Sequence, residues 1–271
     1  MTEPLKLMCV TAHPDDEALG VGFTLAKYAA EGVEISLVTA TRGERGWSGA
    51  PEENPGAQAL GQLREKELRE AARILGVREV SFLDYMDGEL AQVDALEAIG
   101  KLVTHLRRVR PQVVITFDPT GAYGHPDHIA VSQFTLGAVV AAADAEYRDA
   151  EGRPAYRVPK VYFMIDTEPL VNLYTAVTGE QIKYQVGGEI RRHFGWPSWA
   201  ATAFIDARAY WKTGVAAIAC HQTQVQQLLE QIRGIPEHFD ISDWAVQTFY
   251  RVYSLVNRDQ RTENDLFAGL R

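Results

Sequence analysis

The first half of the chain switches repeatedly between two hydrophobic periods. Residues 5–11 form a short apolar run, the pattern of a buried strand. Over 17–31, Ala18, Leu19, Phe23, Leu25, Ala26 and Ala29 recur at helical spacing, and Gly32 supplies the stop. Residues 34–41, rich in Ile, Val and Thr, read as a second strand. A charged amphipathic helix follows over 58–75, with Leu60, Leu63, Leu68, Ala71, Ala72 and Leu75 on or near one face and Gly76 closing it. A third strand covers 79–83. A third helix covers 93–110, ending in Arg107, Arg108 and Arg110, a run that suits the negative end of a helix dipole. Pro111 ends it, a fourth strand spans 112–117, and an alanine-rich helix continues over 129–143. Strands and helices alternating at this spacing predict right-handed βαβ units. The fold class is therefore α/β, with a mostly parallel Rossmann-like sheet and helices on both faces.

Beyond residue 144 the pattern weakens. Residues 148–157 form a polar connection, and 160–165 a fifth strand. The stretch 166–197, with several glycines and aromatics, takes no assignment. Residues 200–205 read as a sixth strand ending in Asp206, and 210–232 as one helix containing Cys220-His221-Gln222-Thr223-Gln224. Residues 241–256 are apolar and aromatic, fitting a helix or an edge strand, and the last dozen residues are polar and read as partly loose. No break in composition marks a boundary. The chain reads as one α/β domain over 1–271, with core βα units over 5–145 and a C-terminal elaboration over 146–271.

Composition narrows the classes. The chain has 271 residues, 46% hydrophobic and 23% charged, which is ordinary globular usage. Its formal net charge of -9 argues against nonspecific nucleic-acid binding. No apolar run approaches the roughly 18 residues of a membrane span. Met1-Thr2-Glu3-Pro4 is not a basic segment leading into an apolar core, so no signal peptide is read. Cys9 and Cys220 both sit in apolar runs and read as buried free thiols of a cytoplasmic protein.

In parallel sheets, ligands bind outside the carboxyl ends of the strands. Two loops at those ends are unusually polar. The first is Thr11-Ala12-His13-Pro14-Asp15-Asp16-Glu17, in which Pro14 fixes its own φ and pushes His13 to an extended backbone. It lacks the glycines of a phosphate cradle. The second is Asp118-Pro119-Thr120-Gly121-Ala122-Tyr123-Gly124-His125-Pro126-Asp127-His128. Two His-Pro-Asp tripeptides thus stand at two predicted strand ends. Between them, residues 42–56 carry four glycines and two prolines, a long loop read as a wall or lid.

His13, Asp16 and His128 together make a zinc set with a fourth position left for water. Zinc would bring that water's pKa to about 7 and polarise a carbonyl. The same two-His, one-carboxylate set also suits ferrous iron. Asp15, facing away from Asp16, is placed to act as general base. His125 would stabilise an oxyanion or protonate a leaving amine, and Tyr123 would donate to the oxyanion. Asp127 would hydrogen-bond a ligand imidazole from behind. The sum is hydrolysis of an amide. Taken singly, these residues have plainer readings. Asp15-Asp16 and Asp127 fit helix N-caps. Arg64, in Arg64-Glu65-Lys66-Glu67-Leu68-Arg69-Glu70, fits a solvated helix face. Trp47 could stack on a sugar or anchor its own loop. A metal phosphohydrolase would want more carboxylates, often bridging two metals. A non-catalytic carbohydrate-binding protein would not need Asp15.

Ala12-His13-Pro14-Asp15-Asp16-Glu17 together with Gly124-His125-Pro126-Asp127-His128 resembles the PIG-L/LmbE-like family of zinc-dependent N-deacetylases. Softer matches are Thr41-Arg42-Gly43-Glu44, Arg64-Glu65, Asp206 and His221-Gln222-Thr223-Gln224, so the likeness covers most of 5–225. It implies one zinc per chain and removal of an acetyl group from an N-acetylglucosamine-containing small molecule or glycoconjugate. Cleavage of a related amide in a thiol-sugar conjugate is the alternative. The family's metal ligands fall on His13, Asp16 and His128, its general base on Asp15, and its active-site His and Tyr on His125 and Tyr123. Arg64 would contact the sugar or its aglycone, and His221 would close one side of the site or, as a plain helix histidine, bond a backbone carbonyl. Specificity for the aglycone is expected from 42–56 and 166–197. Late Trp- and Tyr-rich segments leave room for a homo-oligomer contact.

Overall fold

The computed structural model describes residues 3–271 apart from 180, 182, 187, 234–241 and 257–259. In chain order it comprises β1 (Lys6–Thr11), α1 (Asp16–Ala30), β2 (Glu34–Thr41), α2 (Ala57–Leu75), β3 (Glu79–Tyr85), α3 (Ala95–Val109) and β4 (Val113–Phe117). An irregular turn α4 (Gly121–Gly124) leads into α5 (Pro126–Ala143), then β5 (Lys160–Ile165), α6 (Glu168–Thr178), β6 (Lys183–Val186) and β7 (Glu189–Arg192). The chain ends with β8 (Ala203–Asp206), α7 (Trp211–Ile218), α8 (Gln222–Arg233) and β9 (Val246–Ser254).

One seven-stranded sheet has the order β3-β2-β1-β4-β5-β9-β8. The first five strands pair in parallel, and β9 and β8 run antiparallel to their neighbours. β1, β4 and β5 are buried almost throughout because helices cover both faces. Helices α1, α2 and α7 pack on one another, and α3 packs on α5. The chain first builds outward from β1 to β2 and β3, then returns to place β4 on the other side of β1. The carboxyl ends of β1 and β4 therefore flank the point where strand order reverses, the place where such sheets open a crevice.

The first-half elements lie where the periodicity places them, and β2 and β5 match residue for residue. The second half differs in four ways. The unassigned stretch contains α6 and a two-stranded hairpin of β6 and β7. The single helix read over 210–232 is two, α7 and α8, broken at Ala219–His221 where the backbone turns to bury His221. The segment read as a helix or edge strand is β9, and it is interior, between β5 and β8. Ile241, the first residue of that segment, lies outside the described residues. β5, β9 and β8 thus complete the sheet begun before residue 145, while β6 and β7 form a ribbon of their own.

The last dozen residues are packed, not loose. Glu263 pairs backbone to backbone with Thr202 and Phe204, and Leu266 and Phe267 are fully buried. The Glu263 carboxylate accepts from Lys160 Nζ at 2.7 Å and Tyr162 Oη at 2.5 Å, and Arg251 Nη1 stands 3.2 Å away as an ion-pair neighbour. Both cysteines are free, with Cys9 buried and Cys220 half-buried. No helix among the described residues is long and apolar enough to cross a membrane.

Candidate active site

Loops from the ends of β1, β3 and β4 meet around His13. Its backbone is held at the tip of β1 because Asp16 Oδ2 accepts the N–H groups of Ala12 and His13 at 3.1 and 2.7 Å. The carboxylate thereby folds back over its own loop, with Oδ1 left to face His128 Nε2 at 3.3 Å. His13 Nδ1 lies 3.2 Å from the same His128 nitrogen and 3.7 Å from Asp16 Oδ2. His128 enters from the first turn of α5 and is oriented by stacking on Phe117, ring centroids 3.9 Å apart. Its Nδ1 has no hydrogen-bond partner among the described residues. The structure thus brings together the three residues read as metal ligands.

The far nitrogen of His13, Nε2, faces two carboxylates, Asp127 Oδ2 and Asp87 Oδ1, each at 3.1 Å. Burial works against a charged ring here, but these two bonds outweigh it and raise His13 to about 10. Asp127 is itself fixed by the N–H groups of Gly88 and Leu90 at 2.7 and 3.1 Å. It does not cap α5. That task falls to His125, whose Nδ1 accepts the Asp127 N–H at 3.2 Å. The proton of His125 consequently sits on Nε2. Burial and the neighbouring imidazoles of His13 and His128 push this ring down to about 4, so it is neutral near pH 7. Asp87 is a site residue that the motifs do not reveal. It lies in the loop after β3, a third strand end of the same rim, and its place there was the available signal. Among the described residues, single ligating atoms of His13, His125 and His128, and of His13, Asp87 and Asp127, lie within 4.8 Å of one another; Asp16 belongs to neither group, and ligating atoms are densest around His13.

Asp15 does not act as an N-cap. Its φ of 113° is a conformation that a residue with a Cβ rarely adopts, and no side-chain cap bond forms. Such strain persists only where the surroundings enforce it. Here the Asp15 N–H donates to Glu17 Oε2 at 3.1 Å, and the other Glu17 oxygen meets His221 Nε2 at 2.8 Å. Glu17 and His221 are both fully buried. His221 therefore stands behind Asp15 and bonds a carboxylate. It is neither the wall of the site nor a helix histidine on a backbone carbonyl.

Arg64 likewise departs from both readings made of it. It is 3% exposed, not on a solvated face; both its Nη groups bond protein atoms, while Nε has no partner among the described residues. It donates to Gly43 O at 3.0 Å, Pro14 O at 2.5 Å and Asp15 Oδ2 at 3.2 Å. A Cβ at Gly43 would stand 2.2 Å from Arg64 Nη1, so only glycine allows this approach. Burial raises Asp15, Arg64 opposes it, and the balance leaves the carboxyl at about 6. Burial also disfavours the Asp16 anion, but His128 and His13 outweigh it and hold Asp16 well below the usual range.

Tyr123 sits on the α4 turn, its ring 6.0 Å from His125 and 5.2 Å from His128. That turn needs Gly121, since a Cβ there would meet the His128 Cβ and the Ile129 nitrogen at 2.9 Å. The loop over 42–56 is tied down at the α8 end of the molecule. Gln224 donates to Gly46 O at 2.5 Å, Ser48 donates to Thr223 O, and Thr223 is held by Glu67. Trp47 donates to Ala50 O within its own loop. Asp206 pairs with Arg208 on the surface.

Residues 8–139 match the PIG-L family, described as GlcNAc-PI de-N-acetylase. The chain is 35% identical over 300 residues to a 1D-myo-inositol 2-acetamido-2-deoxy-alpha-D-glucopyranoside deacetylase of Geodermatophilus obscurus, covering all of this chain and 99% of that one. It is 32% identical over 293 residues to a mycothiol S-conjugate amidase of Streptomyces coelicolor, again covering all of this chain and 99% of the relative. Among solved structures it is similar to the conserved protein TT1542 of Thermus thermophilus, with a TM-score of 0.64 and 27% identity over 94% of this chain and 97% of that one.

Proposed function

The chain belongs to the PIG-L family, and on that premise we propose that it removes the acetyl group from an N-acetylglucosamine-containing small molecule, using one zinc held by His13, Asp16 and His128. It is a hydrolase of amide bonds, as its full-length relatives are deacetylases and amidases. The carrying observation is the spacing of the candidate ligand atoms. A tetrahedral ion with bonds of about 2.0–2.1 Å separates its ligands by roughly 3.3–3.4 Å. Here His13 Nδ1 and His128 Nε2 are 3.2 Å apart, and the Asp16 carboxylate stands against both rings, Oδ1 at 3.3 Å from His128 and Oδ2 at 3.7 Å from His13. Asp127 and Asp87 on His13 Nε2 supply the carboxylate–histidine support that fixes a ligating tautomer. When bound, zinc would supply a Lewis acid that polarises the amide carbonyl and acidifies water.

The protein's own groups then divide the work. Asp15, ionised near neutral pH and aimed by its strained backbone and Arg64, takes the proton of the attacking water. The same carboxyl afterwards delivers that proton to the departing amine. His125, neutral with its proton on Nε2, donates a hydrogen bond to the oxyanion rather than a proton to the amine. Tyr123, beside it, is the second candidate donor. Arg64 and His221 act through Asp15 without touching the sugar.

Metal analysis combined with a free-amine assay over N-acetylated sugars and a thiol-sugar amide tests this reading. One zinc per chain and acetate release support it. One ferrous ion in place of zinc corrects the metal, and turnover confined to the thiol-sugar amide moves the activity to the amidase. No amine from any substrate by the metal-loaded protein overturns it.

A further inference from the structure

A cavity of about 830 Å³ opens beside the catalytic loop. One wall is Thr120, Ala122, Tyr123 and Gly124, and the other is the β6–β7 hairpin with the segment after it. We propose that this cavity is an anion-binding subsite, and that the part of the substrate beyond the N-acetyl sugar carries a phosphate or a carboxylate there. The proposal rests on the deacetylase reading above and deepens it.

Three cations, Lys183, Arg191 and Arg192, line the hairpin side. That is notable in a chain with a net charge of -9. Lys183 is paired directly opposite Arg192 in the hairpin register. Like charges facing each other across a two-stranded ribbon repel, and folding alone gives no reason for them. Neither forms an ion pair among the described residues. Arg191 has another task, donating to Gly124 O and so tying the hairpin to the loop that carries Tyr123 and His125.

The carboxylates bonded to the cavity walls are already engaged. Asp118 is buried, accepting from Thr120 at 2.6 Å and from Trp196 Nε1 at 3.0 Å. Asp166 is bonded to His193 at 2.8 Å. This leaves positive charge in excess over an apolar floor that includes Phe194 and Trp196. The volume lies within the roughly 300–1,000 Å³ of small-molecule sites and far exceeds an acetyl group. Tyr123 belongs both to this wall and to the ring cluster of His125 and His128, so a ligand whose amide lies at His125 continues past Tyr123 into the cavity.

The test is steady-state kinetics on three probes. These are the neutral inositol glycoside named for the Geodermatophilus relative, N-acetylglucosamine 1-phosphate, and an N-acetylglucosaminyl glucuronic acid disaccharide. Wild type and the double variant Lys183→Glu, Arg192→Glu are compared, after thermal melting shows that both are folded. The expected result is a KM at least tenfold lower for one anionic probe than for the neutral glycoside in wild type. The phosphate and carboxylate arms show which anion is preferred. In the double variant that ratio collapses. Equal KM values for all three probes in wild type overturn the proposal, as does an anionic preference that survives the double charge reversal. If no probe yields acetate, the deacetylase reading fails instead. Calorimetric binding of N-acetylglucosamine 1-phosphate, weakened at least tenfold in the double variant or not, then decides the subsite by itself.

Discussion

Arg64 Nη2 stands 3.2 Å from Asp15 Oδ2, joining the second turn of α2 to the strained residue that follows β1. The arginine is buried, so its charge acts on Asp15 with little screening by water. A group that works as a base is active when ionised. Its contribution is present above its pKa and lost as pH falls through it. Arg64 holds that value down against burial. Arg64→Gln therefore moves the acid limb of the kcat/KM profile to higher pH, and activity at pH 7 falls about tenfold or more, the effect of removing a neighbouring opposite charge. A pH profile that drops uniformly without moving its acid limb would contradict the assignment.

Asp15→Asn keeps the shape of the side chain and removes its basicity. Turnover should fall by about 10²–10⁴-fold, the usual range for general acid–base groups. Zinc content should stay at one per chain, because Asp15 is not in the proposed ligand set. Loss of metal from this variant, read by elemental analysis, would place Asp15 among the ligands.

Asp127 and Asp87 act on the metal only through His13 Nε2. Asp127→Asn should weaken zinc binding by about 10–100-fold, as removal of a group behind a ligand does. Asp87→Asn should do the same to a smaller degree, since Asp127 still bonds the ring. Competition with a chromophoric chelator measures both.

Metal and proton compete for His13. Without metal, the bonds to Asp127 and Asp87 keep the ring protonated up to about pH 10. Near neutrality, zinc uptake by chelator-stripped protein should then release about one proton from this ring, and affinity should climb as pH rises toward 10. Calorimetry in buffers of different ionisation enthalpy reads the proton count. A binding heat independent of buffer would refute it.

Lys160 and Glu263 form a fully buried ion pair that clamps the end of the chain to β5. Glu263→Gln leaves the lysine without its charge partner and should cost about 3–5 kcal/mol, the range for breaking one side of a buried pair. Urea unfolding measures the loss. A change under about 1 kcal/mol would mean that Arg251 and Tyr162 are not organised by this carboxylate.

His13, Asp16 and His128 lie at strand ends that hydrophobic period alone locates, and parallel sheets place all such ends on one rim. Roles that depend on side-chain direction were harder to read. Arg64 sits in a charged helix whose pattern suits solvent, yet one glycine at position 43 admits it to the interior. Nothing local in the sequence distinguishes that arginine from Arg69, which is exposed and pairs with Glu65. His221 reads as part of a continuous helix, and it meets Glu17 only because the helix breaks just before it.

The parallel half of the sheet follows from the chain's own pattern, since an apolar run bounded by turn residues can bury itself in few ways. The same pattern places the polar residue types that follow β1 and β4, with Pro14 in the turn after β1 and Pro126 opening α5. That Asp87 joins His13, that Arg64 and His221 stand behind Asp15, and that β9 is interior emerges only when the elements pack together. Each of these rests on contacts between residues more than 40 positions apart, and no local periodicity encodes such contacts.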